Sequence, residues 1–357
     1  MALEKRPLLP ALDGLRAMAA MIVLLSHYSN ETAFLRFYAG IGAGQLGVIL
    51  FFALSGFLMC YVTEGVEPSW KNILNFWQRR LARVLPLFIF VVLASYFLGK
   101  QTLAGESLKV LDVNDGNLLR HLFLMDGVSV LWTIPVEICF YVVYPAIWYL
   151  RARLRNDTLM VIGLLVAFLV WNAVRAPVWA MLGVNLKFLE IVLNGHIFLL
   201  GILAYLAFRL ARPMKLNYLW LALMAMLPLV FPHFAEEVYG RAVDPWADPV
   251  IFLLTPMLLF ATVRSNWAEY VLGNPVLRYL GNISYSIYLT HWFVLRYMQR
   301  FYELTKSPVN LAILLVLVVA LASVTYFLIE KPSRKYLNQA WGRVFDRKPP
   351  KDKIAVR

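Results

Sequence analysis

The chain has 357 residues, 61% hydrophobic and 15% charged, with a mean hydropathy of +0.66, a composition that excludes an ordinary soluble globular domain. Its formal charge of +13 does not mark a nucleic-acid binder, because Lys and Arg are spread over successive connections between apolar runs instead of forming one compact basic unit. Cys60 and Cys139 lie within or at the end of apolar runs and offer neither a disulfide framework nor a metal-ligand spacing.

Crossing a bilayer takes about 20 apolar residues. Such runs recur ten times, over 11–29, 46–63, 81–99, 130–150, 159–175, 188–208, 216–232, 248–264, 278–297 and 309–329. The expected fold is an all-α integral membrane protein of ten transmembrane helices, several of them short enough to need tilt or local thinning. One membrane domain over 1–335 is followed by a basic tail over 336–357, drawn to anionic lipid headgroups. With the N-terminus inside, the inner segments carry 23 Lys and Arg against 10 in the outer loops, which places both termini in the cytoplasm.

The first run ends in Ser26, His27 and Tyr28 and not in a small-residue cleavage site, so it reads as a retained helix. Arg16 and His27 are eleven residues apart, which returns them to nearly one face, about 16 Å apart along the axis. Arg16 then lies near the cytoplasmic boundary and His27 in the outer half. Arg79, Arg80 and Arg83 open the third run, where positive-inside placement accounts for them as a group. Arg80 and Arg83 also share a face just before Pro86 and present two guanidinium forks suited to phosphate. The long outer connection, Lys100 to Ser129, holds a partly apolar piece, Asn117 to Met125, that either packs on the membrane domain or re-enters it.

Trp132 and Thr133 open the fourth run, where an aromatic residue is an ordinary interface anchor. Glu137 follows, roughly 10 Å below the outer surface. In the ninth run Ser284, Tyr285, Ser286 and Tyr288 offer hydroxyls of the kind that knit helices together. His291 arrives at about the depth of His27 and Glu137. A charged group at mid-membrane costs roughly 3 kcal/mol on insertion scales, so such groups pair, face water or serve a function. A neutral interhelical hydrogen bond explains a lone histidine, whereas a histidine beside a carboxylate is what general-base catalysis requires. The residues alone leave three roles open for His27, Glu137 and His291: packing, catalysis, or a proton relay in a transporter.

Six segments, in order, resemble the acyltransferase-3 family of membrane acyltransferases. They are LPALDGLRAMAAMIVLLSHY with Arg16 and His27, GVILFFALSGFLM, RRLARVLP with Arg80 and Arg83, LWTIPVEICFYVVYP with Glu137, GNISYSIYLTHW, and IEKPSRK. Thr133 stands where that family often has serine. The resemblance implies an acyl-CoA donor, usually acetyl-CoA, entering from the cytoplasm, and no metal. It implies an acceptor hydroxyl on a carbohydrate or glycolipid at or beyond the outer side, and residence in a bacterial cytoplasmic (inner) membrane. It further implies His27 as the catalytic histidine, Glu137 as its partner, and Arg16, Arg80 and Arg83 in the donor site. Candidates for contacting substrate or the tetrahedral oxyanion are then Trp132, Ser284, Tyr285, Tyr288 and His291. General-base attack and an acyl-histidine intermediate both remain open. The chain ends soon after the last run, so no fused SGNH hydrolase-like domain is expected, and transfer is either direct or through a separate extracytoplasmic partner.

Overall fold

A computed structural model describes residues 9–103, 105–183, 186–302 and 306–345. The N-terminal half begins with α1 (Pro10–Thr32), short α2 (Arg36–Ala39), α3 (Ala43–Thr63) and α4 (Trp70–Gly99). The long connection after α4 holds a two-residue hairpin, β1 (Thr102–Leu103) with β2 (Glu106–Ser107), and α5 (Leu118–Leu122). There follow α6 (Thr133–Leu154), α7 (Asp157–Leu182), α8 (Ile191–Leu210), α9 (Asn217–Met226), α10 (Pro232–Tyr239) and α11 (Pro249–Arg264). The remainder comprises α12 (Asn266–Leu272), α13 (Pro275–Asn282), α14 (Ser284–Phe301), α15 (Pro308–Thr325) and α16 (Lys331–Phe345).

Several helices begin at a polar residue whose side chain accepts an otherwise orphaned N–H of the first turn. Ser69 caps α4, Asn156 caps α7, and Asp248, Asn274 and Ser307 each cap a helix whose first residue is proline. Proline there forgoes an N–H that had no partner anyway. These local signals punctuate the apolar runs and set where each helix starts.

Among the described residues six helices are long and apolar enough to cross a membrane, or up to eight if each bent pair is one span. The sequence predicts ten. All ten runs contain helix, but α1 and α14 do not meet the criterion, and they are the helices that carry Asp13, Arg16, His27 and His291. Two further runs are broken: α9 and its short continuation meet α10 at 76°, and α11 meets α12 at 91°. The helical, multi-pass membrane character stands; among the described residues six to eight candidate spans pass on length and composition.

α1 is central, packed against α3, α12, α13 and α14, while α3 packs along α8. The α3–α8 contact is set by backbone approach. A Cβ added at Gly201 would overlap the Ala53 carbonyl, and one at Gly56 would overlap that of Phe198, so both helices need a residue without a side chain where they cross. α7, by contrast, leaves Leu159, Ile162, Leu165, Val166 and Leu169 exposed, as a lipid-facing helix does.

The long 100–132 connection packs onto the helical bundle. His121, fully buried, has Nδ1 2.8 Å from the Asn117 carbonyl and accepts the Val128 N–H at 3.3 Å, while Lys187 N–H donates to the Met125 carbonyl. Near its start, the Lys100 ammonium and Tyr96 hydroxyl bonded to Asp115 hold that carboxyl below its ordinary range. At the other end of the chain, α15 continues through one π-helical turn, Tyr326–Glu330, into α16. The first part of the expected tail is therefore helix, and Trp341 Nε1 donates to Asn75 of α4 at 2.6 Å. The rest of the tail, 346–357, and Lys5 and Arg6 at the other terminus lie outside the described residues.

Candidate active site

A narrow cavity, partly open to its surroundings, lies between α1, α3, α4, α6 and α14. It collects most of the residues singled out in sequence. Arg16 enters from α1, Arg80 and Arg83 from α4, Thr133 and Glu137 from α6, and Ser284, Tyr285 and Tyr288 from α14. The apolar remainder of the wall includes Phe51, Phe52 and Leu54 of α3. Three guanidinium groups against one carboxylate give this space a positive surplus suited to an anionic ligand.

Glu137 is held from two sides. Ser55 Oγ donates to its Oε1 at 3.0 Å, and the Tyr141 hydroxyl, one turn along α6, donates to the same oxygen. Glu137 and Tyr141 are also within electrostatic reach of Arg80, whose guanidinium sits 5.8 Å from the Phe76 ring centre. Arg83 lies within reach of Asp13 and Glu330. Glu330, 2% exposed on the π-helical turn, accepts from Ser286 Oγ at 3.0 Å. A π turn shifts the residues it carries off the regular helix face, a feature that recurs at functional sites.

His27 does not line the cavity. Its ring stacks on His291, with centroids 5.2 Å apart and planes 26° apart, and packs against Trp292 at 4.9 Å. His291 in turn lies 6.3 Å from Tyr288, a cavity wall residue. The two histidines thus meet, as the depth count predicts, and join the cavity through Tyr288. His27 and Glu137 do not meet. Among the described residues Glu137 takes its hydrogen bonds from Ser55 and Tyr141, while His27 has ring contacts with His291 and Trp292 and lies within electrostatic reach of Arg296. Arg16 and His27, predicted to share one face, divide between the cavity and the ring stack.

The polar hydrogens near this junction are largely committed. The Tyr285 hydroxyl donates to the Val84 carbonyl at 2.7 Å, and that of Tyr288 to the Val130 carbonyl at 3.0 Å. Thr133 Oγ1 faces both Tyr288 and Val130, at 3.1 and 3.2 Å. His291 Nδ1 is 3.2 Å from the Ile287 carbonyl, and since a carbonyl only accepts, that nitrogen carries the proton in the neutral ring. Ser284 Oγ, His291 Nε2 and Trp292 Nε1 are buried without a partner. Trp132 packs against Phe52 and Trp246, with ring centres 6.1 and 5.7 Å away.

Ser55, Tyr141, Glu330 and Trp292 are site residues that sequence reasoning did not single out. Glu330 carried a usable signal, a carboxylate next to an apolar run. Among the described residues no group of three or more His, Cys, Asp or Glu is placed to hold a metal ion.

A family model described as an acyltransferase domain matches residues 9–327. A Staphylococcus aureus (strain COL) protein named "Putative O-acetyltransferase" is 25% identical over 371 residues, covering 93% of this chain and 58% of the relative. The O-acetyltransferase OatA of Staphylococcus aureus (strain NCTC 8325 / PS 47) is 25% identical over 361 residues, covering 92% of this chain and 57% of the relative. The chain thus spans somewhat over half the length of these relatives, and no solved structure matches it. With nearly all of its helical bundle inside the matched region, the chain belongs to the acyltransferase-3 family of membrane acyltransferases.

Proposed function

We propose that this protein is an acyl-CoA-dependent O-acyltransferase that moves an acyl group, acetyl in the first instance, from cytoplasmic acyl-CoA to a hydroxyl of an envelope or extracellular carbohydrate or glycolipid. The observation that carries the reading is the meeting of a cavity holding Arg16, Arg80 and Arg83 with a buried histidine pair at Tyr288. The arginines suit the phosphates of the donor's nucleotide, Arg80 and Arg83 at the cytoplasmic end and Arg16 along the path of the pantetheine arm. His27 is the general base: it takes the acceptor hydroxyl's proton as the oxygen attacks the thioester carbonyl, help usually worth about 10²–10⁴-fold.

Glu137 as partner to His27 requires the two to close on bound substrate, since catalytic hydrogen bonds often tighten only in the substrate complex. Meanwhile Ser55 and Tyr141 keep the carboxylate oriented, and its charge offsets that of Arg80. The setting is a bacterial cytoplasmic membrane, with the donor reached from inside and the acceptor from outside, directly or through a separate extracytoplasmic partner. Family membership disfavours the proton-coupled transporter that the residues alone allowed.

The test is chemical. Purified protein in lipid nanodiscs, given labelled acetyl-CoA and an envelope glycan, is expected to release CoA and label the glycan, and His27→Ala to abolish both. Acceptor labelling undiminished in His27→Ala overturns the catalytic assignment.

A further inference from the structure

Acyl transfer places negative charge on the thioester carbonyl oxygen, and the protein must aim hydrogen-bond donors at that oxygen. Counting hydrogens around His27 narrows the choice. Tyr285 and Tyr288 have each spent their only hydroxyl hydrogen on a main-chain carbonyl. His291 has spent Nδ1–H on the Ile287 carbonyl, and its unpartnered Nε2 is a lone pair in the neutral ring, an acceptor and not a donor. Ser284 keeps an uncommitted hydroxyl, but it opens α14, about two turns before His291. Ser29 Oγ is also unpartnered, but two residues on from His27 it lies about 200° round α1; Trp292 Nε1, whose ring packs on His27, is donor only, buried, and without a partner.

A buried indole N–H normally finds an acceptor, and leaving one unmade costs about 1–3 kcal/mol. The ring around this donor is clamped. One side packs on His27 with centroids 4.9 Å apart, and the Arg296 guanidinium lies 4.6 Å from the ring centre. Arg296 is itself tied to Gln299 at 2.7 Å and to Glu31 of α1 at 3.8 Å. A cation over the indole face withdraws electron density from the ring and makes its N–H a better donor. Preorganised, shielded from water and beside the base, such a donor meets the conditions under which one hydrogen bond to a developing charge is worth most.

We propose that Trp292 Nε1–H is a catalytic hydrogen-bond donor to the acyl oxyanion, with Arg296 as the positioning residue that fixes and polarises its ring. In the step it serves, the acceptor oxygen bonds to the thioester carbon while His27 takes the hydroxyl proton. The carbonyl π electrons move onto oxygen, where Trp292 N–H receives them. Collapse re-forms the carbonyl, breaks the carbon–sulfur bond and expels the CoA thiolate, which recovers the proton from His27. This assignment rests on the acyltransferase reading above with His27 at its centre.

The test removes the N–H and keeps the ring. Trp292→Phe, together with replacement of Trp292 by 3-benzothienylalanine, in which sulfur takes the place of the N–H at nearly constant shape, is assayed for acetyl transfer in nanodiscs. The expected result is a fall in kcat of about 10²–10³-fold, the usual effect of losing one oxyanion donor. For the benzothienyl form, KM for acetyl-CoA, the pH profile set by His27 and the thermal midpoint are expected to stay within error. A kcat within threefold of the unmodified protein for the benzothienyl form overturns the proposal, as does a loss that appears only as a raised KM or a lowered thermal midpoint. The parent reading fails separately, by persistence of transfer in His27→Ala.

Discussion

At the scale of single residues, Glu137 shows how a carboxylate is kept useful at membrane depth. Its oxygen takes hydrogen bonds from Ser55 on α3 and Tyr141 on α6, while Arg80 stands across the cavity. A hydrogen bond to a charged group is worth about 1.5–3 kcal/mol. Ser55→Ala and Tyr141→Phe are therefore each expected to lower kcat by about tenfold or more, and Glu137→Gln, which keeps an accepting oxygen but loses the charge, by more than either. Steady-state rates in one detergent or nanodisc preparation check the ordering, and equal rates for all three variants contradict it. His27, Glu137 and the arginines are legible in sequence because an ionisable group in an apolar run carries its own cost. Ser55 and Tyr141 are not, since a hydroxyl in such a run commonly bonds its own helix, and only the assembled bundle shows that these two converge on one oxygen. The same limit hid Trp292, whose indole reads as one more apolar residue until its N–H is seen to lack a partner.

At the scale of helices, the starts follow local signals, and the crossings follow backbone approach. Gly201 of α8 lies against the Ala53 carbonyl of α3, where a Cβ has no space. Helix propensity favours alanine over glycine by roughly 0.5–1 kcal/mol, whereas overpacking a tight contact costs about 1–3 kcal/mol. Packing outweighs propensity here, so Gly201→Ala is expected to lower the thermal midpoint in detergent. Gly163 of α7, with nothing within 4 Å of its added Cβ, is expected to tolerate the same change or gain from it. A higher midpoint for Gly201→Ala would mean that α3 and α8 separate without penalty. The ten apolar runs locate the helices because length and hydropathy suffice for that. They do not reveal that α9 and α11 end in sharp bends, although Pro228, Pro232 and the Ser265 cap mark those places, nor that the tail begins as a helix docked on α4.

For the whole molecule, the proposed chemistry depends on sidedness: the donor arginines must face the cytoplasm, and the histidine pair must lie nearer the outer surface. Arg80, Arg83 and Glu137 line one cavity, and the stacked histidines adjoin it where His291 lies 6.3 Å from Tyr288. Arg80 is eleven residues into α4, counted from its Trp70 end, and Glu137 is five residues into α6, counted from the end that follows the long 100–132 connection. On the ten-span reading, the positive-inside bias of 23 against 10 Lys and Arg predicts the Trp70 end inside and that connection outside. Single cysteines report the orientation directly, because Cys60 is buried and Cys139 half-buried. With both native cysteines changed to Ala, Ser107→Cys in the outer hairpin is expected to react with an impermeant maleimide in intact spheroplasts. Ser69→Cys, at the cap of α4, is expected to react only after the membrane is opened. If both react from outside, or the order is reversed, Arg80 and Arg83 face away from the cytoplasmic acyl-CoA pool, and the donor path from them past Arg16 to His27 loses its physical basis even where transfer activity is observed.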